Sequence, residues 1–540
     1  MIRVSGYFRM EIDQKYNAYL RSVSLFLAAM AYLSPSCAES LCSADESRPN
    51  IIFLLSDDQT IGAVGCYGNS GIITPHLDQL AAEGVRFTNH YNTTSICMAS
   101  RASVMTGLYE YRHGCNFSHG DLERRFMDQA YPVLLRQAGY FTGSAGKIGF
   151  VLQKNDFEGL APMFDMWGGG PGQTFYETAK NEAIAKYAEQ YPHCSRAYGA
   201  WALDFLKEAK ASGKPFCMNI SFKAPHKPST PDPIDLELYG RRTFTPPPNY
   251  GAENGSHLSL QSKTSRAATS FEDGDWKQDY DKRARNYYAL ITGVDAAVGM
   301  IREGLQREGL ADNTVIIFTS DNGYNCGAHG FSDKVLPYEE GSKSPLIIYD
   351  PRLSKQHAGA VCDALTGNVD MAATICSFAR VSTPEAIDGR DLRPLLLDPE
   401  SQVRDALPLF NFWGIESAQS MAVMTQRWKY VYWYFGGNDL QPTEELFNLS
   451  NDRFEMANRA SQLNYASDLA LMRQLYDSEI ESIRAKAVDD HGHRPYAILF
   501  SRIASWDQKA PLLKDLNTQE NEEGGTPRLR RRKAEATERR

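Results

Sequence analysis

The chain has 540 residues, 42% of them hydrophobic and 23% charged, with a formal net charge of -9. That composition can bury a large core and suggests more than one domain, which excludes an intrinsically disordered chain. The net negative charge excludes a nucleic-acid binder that works by global phosphate attraction, and the basic end "RLRRRKAEATERR" reads as a solvated tail.

Near the start, "SVSLFLAAMAYL" (Ser22 to Leu33) is a short apolar run, preceded by Lys15 and Arg21 and followed by "SPSCAES". It is too short to span a bilayer comfortably, so residues 1–38 are read as a signal peptide cleaved after Ala38. The expected location is therefore periplasmic or secreted, with no transmembrane anchor. A lipoprotein anchor at Cys37 is disfavoured by the residues before it, and a buried N-terminal helix is the plain alternative. Ten cysteines in an exported chain could form disulfides, but their spacing is irregular and holds no pair of CxxC motifs, so no zinc site is read and no pairing is legible.

The body opens with "RPNIIFLLSDDQ", a continuous apolar run suited to a strand buried on both faces and ending in two aspartates. "TPHLDQLAAEG" follows, with Thr74 placed as a helix N-cap, Pro75 at the first helical position and Gly84 as a stop. "SICMASRASVMTG" then sets an arginine four residues after a cysteine, and the run is closed by Thr106-Gly107. Helix-then-strand units recur in "YPVLLRQAGYFTGSAGK", in "AWALDFLKEAKASGKPFCMNISFKAPH", and in the run from Tyr280 to Leu310 that leads into "TVIIFTSDNG". Such alternation implies an α/β fold with a large, mostly parallel sheet flanked by helices.

A Pro-, Ser-, Thr- and Gly-rich stretch, about 225–279, reads as a long irregular insertion within a catalytic domain spanning 48–403. From about Arg404 the pattern changes. "MAVMTQRWKYVYWYF" alternates like exposed antiparallel strands and a helix is expected from about Leu463 to Ala485, which gives a smaller C-terminal α+β subdomain over 404–510 and a polar, basic tail over 511–540.

Three predicted strands end in polar groups: Asp57-Asp58, His226, and Asp321-Asn322. Open α/β sheets place ligands beyond the carboxyl ends of their strands, so these residues could meet at one site. Three carboxylates and an amide oxygen packed together would repel unless a cation sat among them, and the all-oxygen set favours calcium or magnesium over zinc. If a helix begins just after Cys97, that thiol sits at its positive end, with Arg101 one turn on along the same face. Taken alone, each of these features also has a plain reading as a cap, a turn or a buried thiol.

Together they resemble the sulfatases of the alkaline phosphatase superfamily, through "RPNIIFLLSDDQ", "TPHLDQLAAEGVRFTNHY", "CMASRASVMTG", "GYFTGSAGK", "APHKP", "SDNG" and "KVLPYEEGSKSPLII", in that order. The resemblance implies an alkaline-phosphatase-like sandwich that hydrolyses sulfate esters. In the family the cysteine or serine of C/S-x-P-S/A-R is oxidised to formylglycine, and Cys97 matches that position. It further implies that Asp57, Asp58, Asp321 and Asn322, with the modified Cys97, hold one Ca2+. Arg101 would stabilise the aldehyde hydrate, Lys147 and Lys334 would bind sulfate, and His226 would bind sulfate and protonate the departing alkoxide.

Two positions depart from the family pattern. Ala99 stands where proline is usual, which resembles the variant accepted by radical-type maturases, so that class of enzyme is the expected partner. After Lys147, "GKIGF" offers Gly149 and Phe150 where the family commonly has a histidine; His113 and His119 are the other histidines considered. Sulfated carbohydrate is the expected substrate, with Trp167, Tyr176 and Trp413 as possible stacking surfaces. The alternatives are a formylglycine-dependent phosphodiesterase or phosphonate monoester hydrolase, and an inactive protein that binds sulfated glycans.

Overall fold

In the computed structural model, residues 48–353 and 357–522 are described. The expected signal peptide and the "RLRRRKAEATERR" end lie outside them.

The first strand, β1 (Asn50–Asp57), is buried at every position, as its unbroken apolar run requires. Its side chains alternate between two cores. Ile51, Phe53 and Leu55 pack with Met98, Val104 and Met105 of the Cys97–Thr106 helix, whereas Ile52 and Leu54 pack with Trp201, Phe205, Leu290 and Val294. The latter four come from two long helices, Cys194–Ser212 and Tyr280–Glu308, which cover the opposite face. A strand sandwiched in this way has no polar face to show, and that is why it reads as a run rather than an alternation.

The other strands, in chain order, are β2 (Val85–Phe87), β3 (His90–Tyr91), β4 (Phe141–Lys147), β5 (Met166–Gly170), β6 (Phe216–Pro225), β7 (Thr314–Ser320), β8 (Leu346–Tyr349), β9 (Ala360–Cys362), β10 (Thr366–Gly367), β11 (Leu407–Asn411), β12 (Ser420–Met424), β13 (Trp428–Trp433) and β14 (Thr443–Asn448). The main sheet has eight strands in the order β5-β4-β6-β1-β7-β8-β2-β9. From β5 to β7 every pairing is parallel. β8 runs antiparallel to both β7 and β2, and β2 is parallel to β9. The expected α/β sandwich is therefore present, with one reversed strand.

Pro75 opens the Pro75–Glu83 helix as read. Thr74 precedes it, but its hydroxyl accepts from the Gly65 N–H at 2.9 Å instead of capping the helix. The stretch read as an irregular insertion carries short helices at Pro233–Glu237, Leu260–Lys263, Arg266–Glu272 and Asp275–Gln278. Three of them start on side-chain caps, from Asp232, Ser259 and Ser265, the polar residues that made the segment look structureless. A helix over Trp506–Glu522 also runs into the segment read as tail.

The strands β11 to β14 form a four-stranded antiparallel sheet. The expectation that β12 and β13 are exposed is corrected, because both are buried throughout. Met421, Val423, Tyr430 and Tyr432 pack on Met472, Tyr476 and Ile480 of the Ala466–Lys486 helix. On the other face Ala422, Met424, Val431 and Trp433 pack on Phe331, Leu336 and Tyr338. The second face thus grips the loop that carries Lys334. Lys429 reinforces the grip, lying 2.8 Å from both Glu339 and Glu455 with its side chain fully buried.

Cys66, Cys97, Cys115, Cys194, Cys217, Cys326, Cys362 and Cys376 are free thiols. Among the described residues no helix is long and apolar enough to cross a membrane.

Replacing Lys429 by Met keeps the apolar stem but leaves Glu339 and Glu455 buried without their shared cation, which is expected to cost about 3–5 kcal/mol. The urea midpoint followed by circular dichroism measures this, and an unchanged midpoint would show that the carboxylates do not need the ammonium.

Candidate active site

Four neighbouring strands, β4, β6, β1 and β7, deliver the charged groups at their carboxyl ends. Lys147 is the last residue of β4 and Asp57 the last of β1, while His226 and Asp321 directly follow β6 and β7. Because these strands are parallel and adjacent, their ends line up in one row. Asp58 turns the chain in the left-handed region at φ 69°, a conformation that aspartate tolerates better than most residues. The turn is held by the Tyr287 hydroxyl, which donates to the Asp58 carbonyl at 2.5 Å, and by the Asp58 N–H, which donates to Asp321 Oδ1 at 3.2 Å.

The helix Cys97–Thr106 starts at the cysteine, one residue before the start considered from the sequence, and is capped by Gly107, whose φ of 69° suits glycine and lets its N–H reach the Ser103 carbonyl. Arg101, one turn from Cys97, donates through Nε to Asp321 Oδ2 at 2.7 Å and through Nη1 to the Lys147 carbonyl at 2.5 Å. Lys147 donates to Asp57, and Lys334 donates to Asp58 while standing 2.9 Å from Cys97 Sγ. Cys97 Sγ lies 3.5 Å from Asp57 Oδ1 and Asn322 Nδ2 donates to Asp58 Oδ1 at 2.6 Å. His226 Nε2 is 3.8 Å from Asp58 Oδ2. All nine residues singled out in the sequence are therefore brought to one place.

Charge governs this cluster, since Asp57, Asp58 and Asp321 are removed from water together with Arg101, Lys147 and Lys334. Burial works against the Asp57 charge, but Lys147, His226, Arg101 and Lys334 outweigh it and hold its carboxyl well below the usual range. Burial wins at Asp58, helped by the Asp57 charge and opposed by Lys334, and it pushes Asp321 up to about 6 against Arg101. The Cys97 thiol is pushed up by burial to about 12 in spite of Lys147 and Lys334. Burial also drives His226 well below its ordinary value.

Two oxygens beside these carboxylates, Asp58 Oδ2 and Asn322 Oδ1, are buried without a hydrogen-bond partner. One ligand atom each from Asp57, Asp58, Cys97 and His226 lies within 4.8 Å of the others. Unsatisfied buried oxygens among carboxylates are costly alone and suited to a hard cation, so the residues fit a calcium or magnesium site.

Several supporting groups had no signal in the sequence. Besides Tyr287, Ser100 donates to the Asp321 carbonyl and in turn accepts from Asn368 Nδ2 at 2.8 Å. Lys223, buried on β6, donates to the Gln173 carbonyl at 2.9 Å and lies 5.1 Å from the Tyr176 ring centre. Such residues lie far apart in the chain and carry no motif.

The other candidates are sorted by their neighbours. His113 bonds Ser103 at 3.0 Å and His119 faces the Phe412 carbonyl at 3.3 Å, so neither serves the cluster. Trp167 lies on β5 and packs against Phe157 and Phe164, and Tyr176 is buried with its hydroxyl on the His226 carbonyl at 2.5 Å. Both therefore pack on neighbouring protein groups. Trp413, half-buried like Trp167, differs in position: it packs near Ile96 and Val335, the immediate neighbours of Cys97 and Lys334.

The missing histidine has a steric explanation. Gly149 sits at φ 87°, and a Cβ there would fall 2.4 Å from Arg101 Cδ. Phe150 is buried in the core. The backbone lets Arg101 lie across Gly149, and no side chain fits between them.

A family model described as Sulfatase matches residues 49–381, and one described as N-sulphoglucosamine sulphohydrolase, C-terminal, matches 327–484. The chain is 28% identical over 519 residues to an N-acetylglucosamine-6-O-sulfatase of Bacteroides thetaiotaomicron, covering 84% of this chain and 90% of the relative. A solved structure of a protein in complex with its substrate D-glucosamine-2-N,6-O-disulfate is 27% identical with a TM-score of 0.66, covering 81% of this chain and 99% of that one. The phosphonate monoester hydrolase of Agrobacterium radiobacter, 22% identical with a TM-score of 0.66 over 82% of this chain and 97% of its own, shares the fold.

Restoring a histidine by Gly149→His is expected to harm the protein. The strained backbone alone costs about 1–3 kcal/mol, and displacing Arg101 lowers activity further. Thermal unfolding and turnover of the variant measure this, and a stable, faster variant would refute the steric account.

Proposed function

The chain belongs to the sulfatase family, whose model spans residues 49–381, and from that premise we propose that it hydrolyses sulfate esters of a carbohydrate through a formylglycine made from Cys97, with one calcium ion held by Asp57, Asp58, Asp321 and Asn322. The observation that carries this reading is the convergence of Cys97, Arg101, Lys147, His226 and Lys334 on the carboxylate cluster.

An unmodified Cys97 is ill suited to attack, because a thiol held near 12 by burial is protonated at neutral pH. Formylglycine would supply a hydrated aldehyde as the nucleophile, and a hard cation beside it would lower the hydrate's pKa and offset sulfate charge. Lys334 stands 2.9 Å from Cys97 Sγ and Lys147 donates to Asp57, itself 3.5 Å from that sulfur, so both ammonium groups would be at hand for sulfate oxygens. Arg101, clamped between Asp321 and the Lys147 carbonyl, fixes the position of the helix start.

His226 Nδ1 is 2.6 Å from the Lys227 carbonyl, which can only accept, so Nδ1 carries a proton and Nε2 is the nitrogen nearer Asp58. A bound sulfate anion would favour the imidazolium, whose Nε2 could then hand its proton to the departing alkoxide.

Cys97 and Ala99 are 2% and 0% exposed, so a maturase would have to reach them before folding is complete. Ala99 points to the radical type, and export to the periplasm or outside is part of the same proposal. Relatives named for N-acetylglucosamine and N-acetylgalactosamine sulfates direct the first substrate screen to sulfated hexosamines.

Mass spectrometry of the tryptic peptide around Cys97, after expression beside a radical-type maturase, is expected to show the aldehyde. Cys97→Ala is expected to lower aryl sulfate turnover by roughly three orders of magnitude with the circular dichroism unchanged. A persistent thiol with bound sulfated glycan would favour the inactive binding protein, and a strong preference for aryl phosphodiesters over aryl sulfates would favour the phosphodiesterase. Chelation with EDTA should abolish turnover and calcium should restore it; full activity after chelation would remove the metal from the proposal.

A further inference from the structure

Resting on the sulfatase reading, we propose that Lys227 and Arg266, gathered on Asp333 beside Trp413, form a second anion subsite adjoining His226 and Lys334, which selects saccharides bearing another sulfate or a carboxylate in addition to the scissile sulfate.

The placement follows from the chain itself. Lys227 is the residue after His226, and Asp333 is the residue before Lys334, so the subsite adjoins two groups that face the sulfate. Lys227 Nζ donates to Asp333 Oδ2 at 3.0 Å, and Arg266 Nε reaches the same oxygen at 3.1 Å. One carboxylate thus gathers two cations, and a net positive charge remains. Asp333 is buried and unavailable to a ligand, whereas the side chains of Lys227 and Arg266 are 34% and 43% exposed. Arg266 meets Asp333 through Nε and keeps 43% of its side chain exposed, and a guanidinium is suited to a planar or tetrahedral anion.

The backbone supports the same arrangement. Asp333 and Val335 have φ of 94° and 81°, so Lys334 sits between two residues in the left-handed region. Such a conformation persists only where the surroundings over-determine it. The cations on Asp333 do so from one side, and the packing of Val335 with Ile96 does so from the other. Trp413 completes the subsite, with the Arg266 guanidinium 5.8 Å from its ring centre and Phe117 at 6.2 Å. An indole beside a guanidinium offers a flat surface for a sugar ring and a charge for its substituent.

A lone structural ion pair would need one cation. The second cation, exposed on the same oxygen, gives the Lys227–Asp333–Arg266 group one more positive charge than neutrality requires. That excess repays desolvation only when the ligand brings a further negative charge.

The test compares a monosulfated hexosamine with the same hexosamine bearing a second, N-linked sulfate, on wild type, Lys227→Ala, Arg266→Ala and Arg266→Lys. The wild type is expected to prefer the disulfated sugar in kcat/KM, and each alanine variant to lower that preference at least tenfold through KM, with Arg266→Lys retaining part of it. The preference should also shrink as salt is added. A preference ratio unchanged in both alanine variants, or a loss shared equally by both sugars, overturns the proposal in favour of a purely structural role. If no sulfate ester, aryl sulfate included, is turned over, the sulfatase reading fails on its own. Calorimetry of the disulfated sugar on wild type and Arg266→Ala then decides the subsite, and equal affinity overturns it.

Discussion

The burial of three carboxylates with three cations at the ends of adjacent strands is the constraint on which the rest of the structure depends. Such a cluster is stable only if every charge is met, because a single unpaired ion in a dry interior costs several kcal/mol, on the order of the whole stability margin. Asp57 meets Lys147, Asp58 meets Lys334, and Asp321 meets Arg101. Each pair joins a different part of the chain, so the ionic cluster also ties the sheet, the Cys97 helix and the Lys334 loop together. Two oxygens left without partners mark where a further cation would be welcome.

The sheet makes this concentration of charge affordable. β1 is covered on both faces by apolar side chains, so the strand ends are held by a core that does not depend on the ions. The Cys97–Thr106 helix is buried along its whole length and aims its start at the cluster. Gly149 belongs to the same design: a bare Cα lets Arg101 lie flat against the chain after β4, and a side chain there would be incompatible with the arginine's path. A histidine at position 149 would require Arg101 to shift, since its Cβ would fall 2.4 Å from Arg101 Cδ.

The antiparallel sheet supports the site from further away. Its inner face packs against Phe331, Leu336 and Tyr338, which bracket Lys334, and Lys429 binds the following turn through Glu339. The stretch between 225 and 279 contributes Lys227 and Arg266, both clamped on Asp333. One lysine is therefore positioned by two separate parts of the chain.

The sequence by itself determined the α/β alternation, the buried first strand and the identity of the charged residues. These are local patterns: a two-sided apolar run, a proline-led helix, acids placed where strands stop. It did not reveal that β12 and β13 are covered on both faces, because alternation looks the same whether the second face meets water or another layer. Nor did it separate Tyr176 and Trp167 from Trp413, since an aromatic side chain in a loop-like stretch carries no mark of what will pack on it. Tyr287, Ser100, Asn368 and Asp333 were illegible for the same reason, their partners being remote in the chain. Tertiary structure alone decided them, because hydrogen bonds and desolvation depend on distance in space, and sequence separation does not encode that distance.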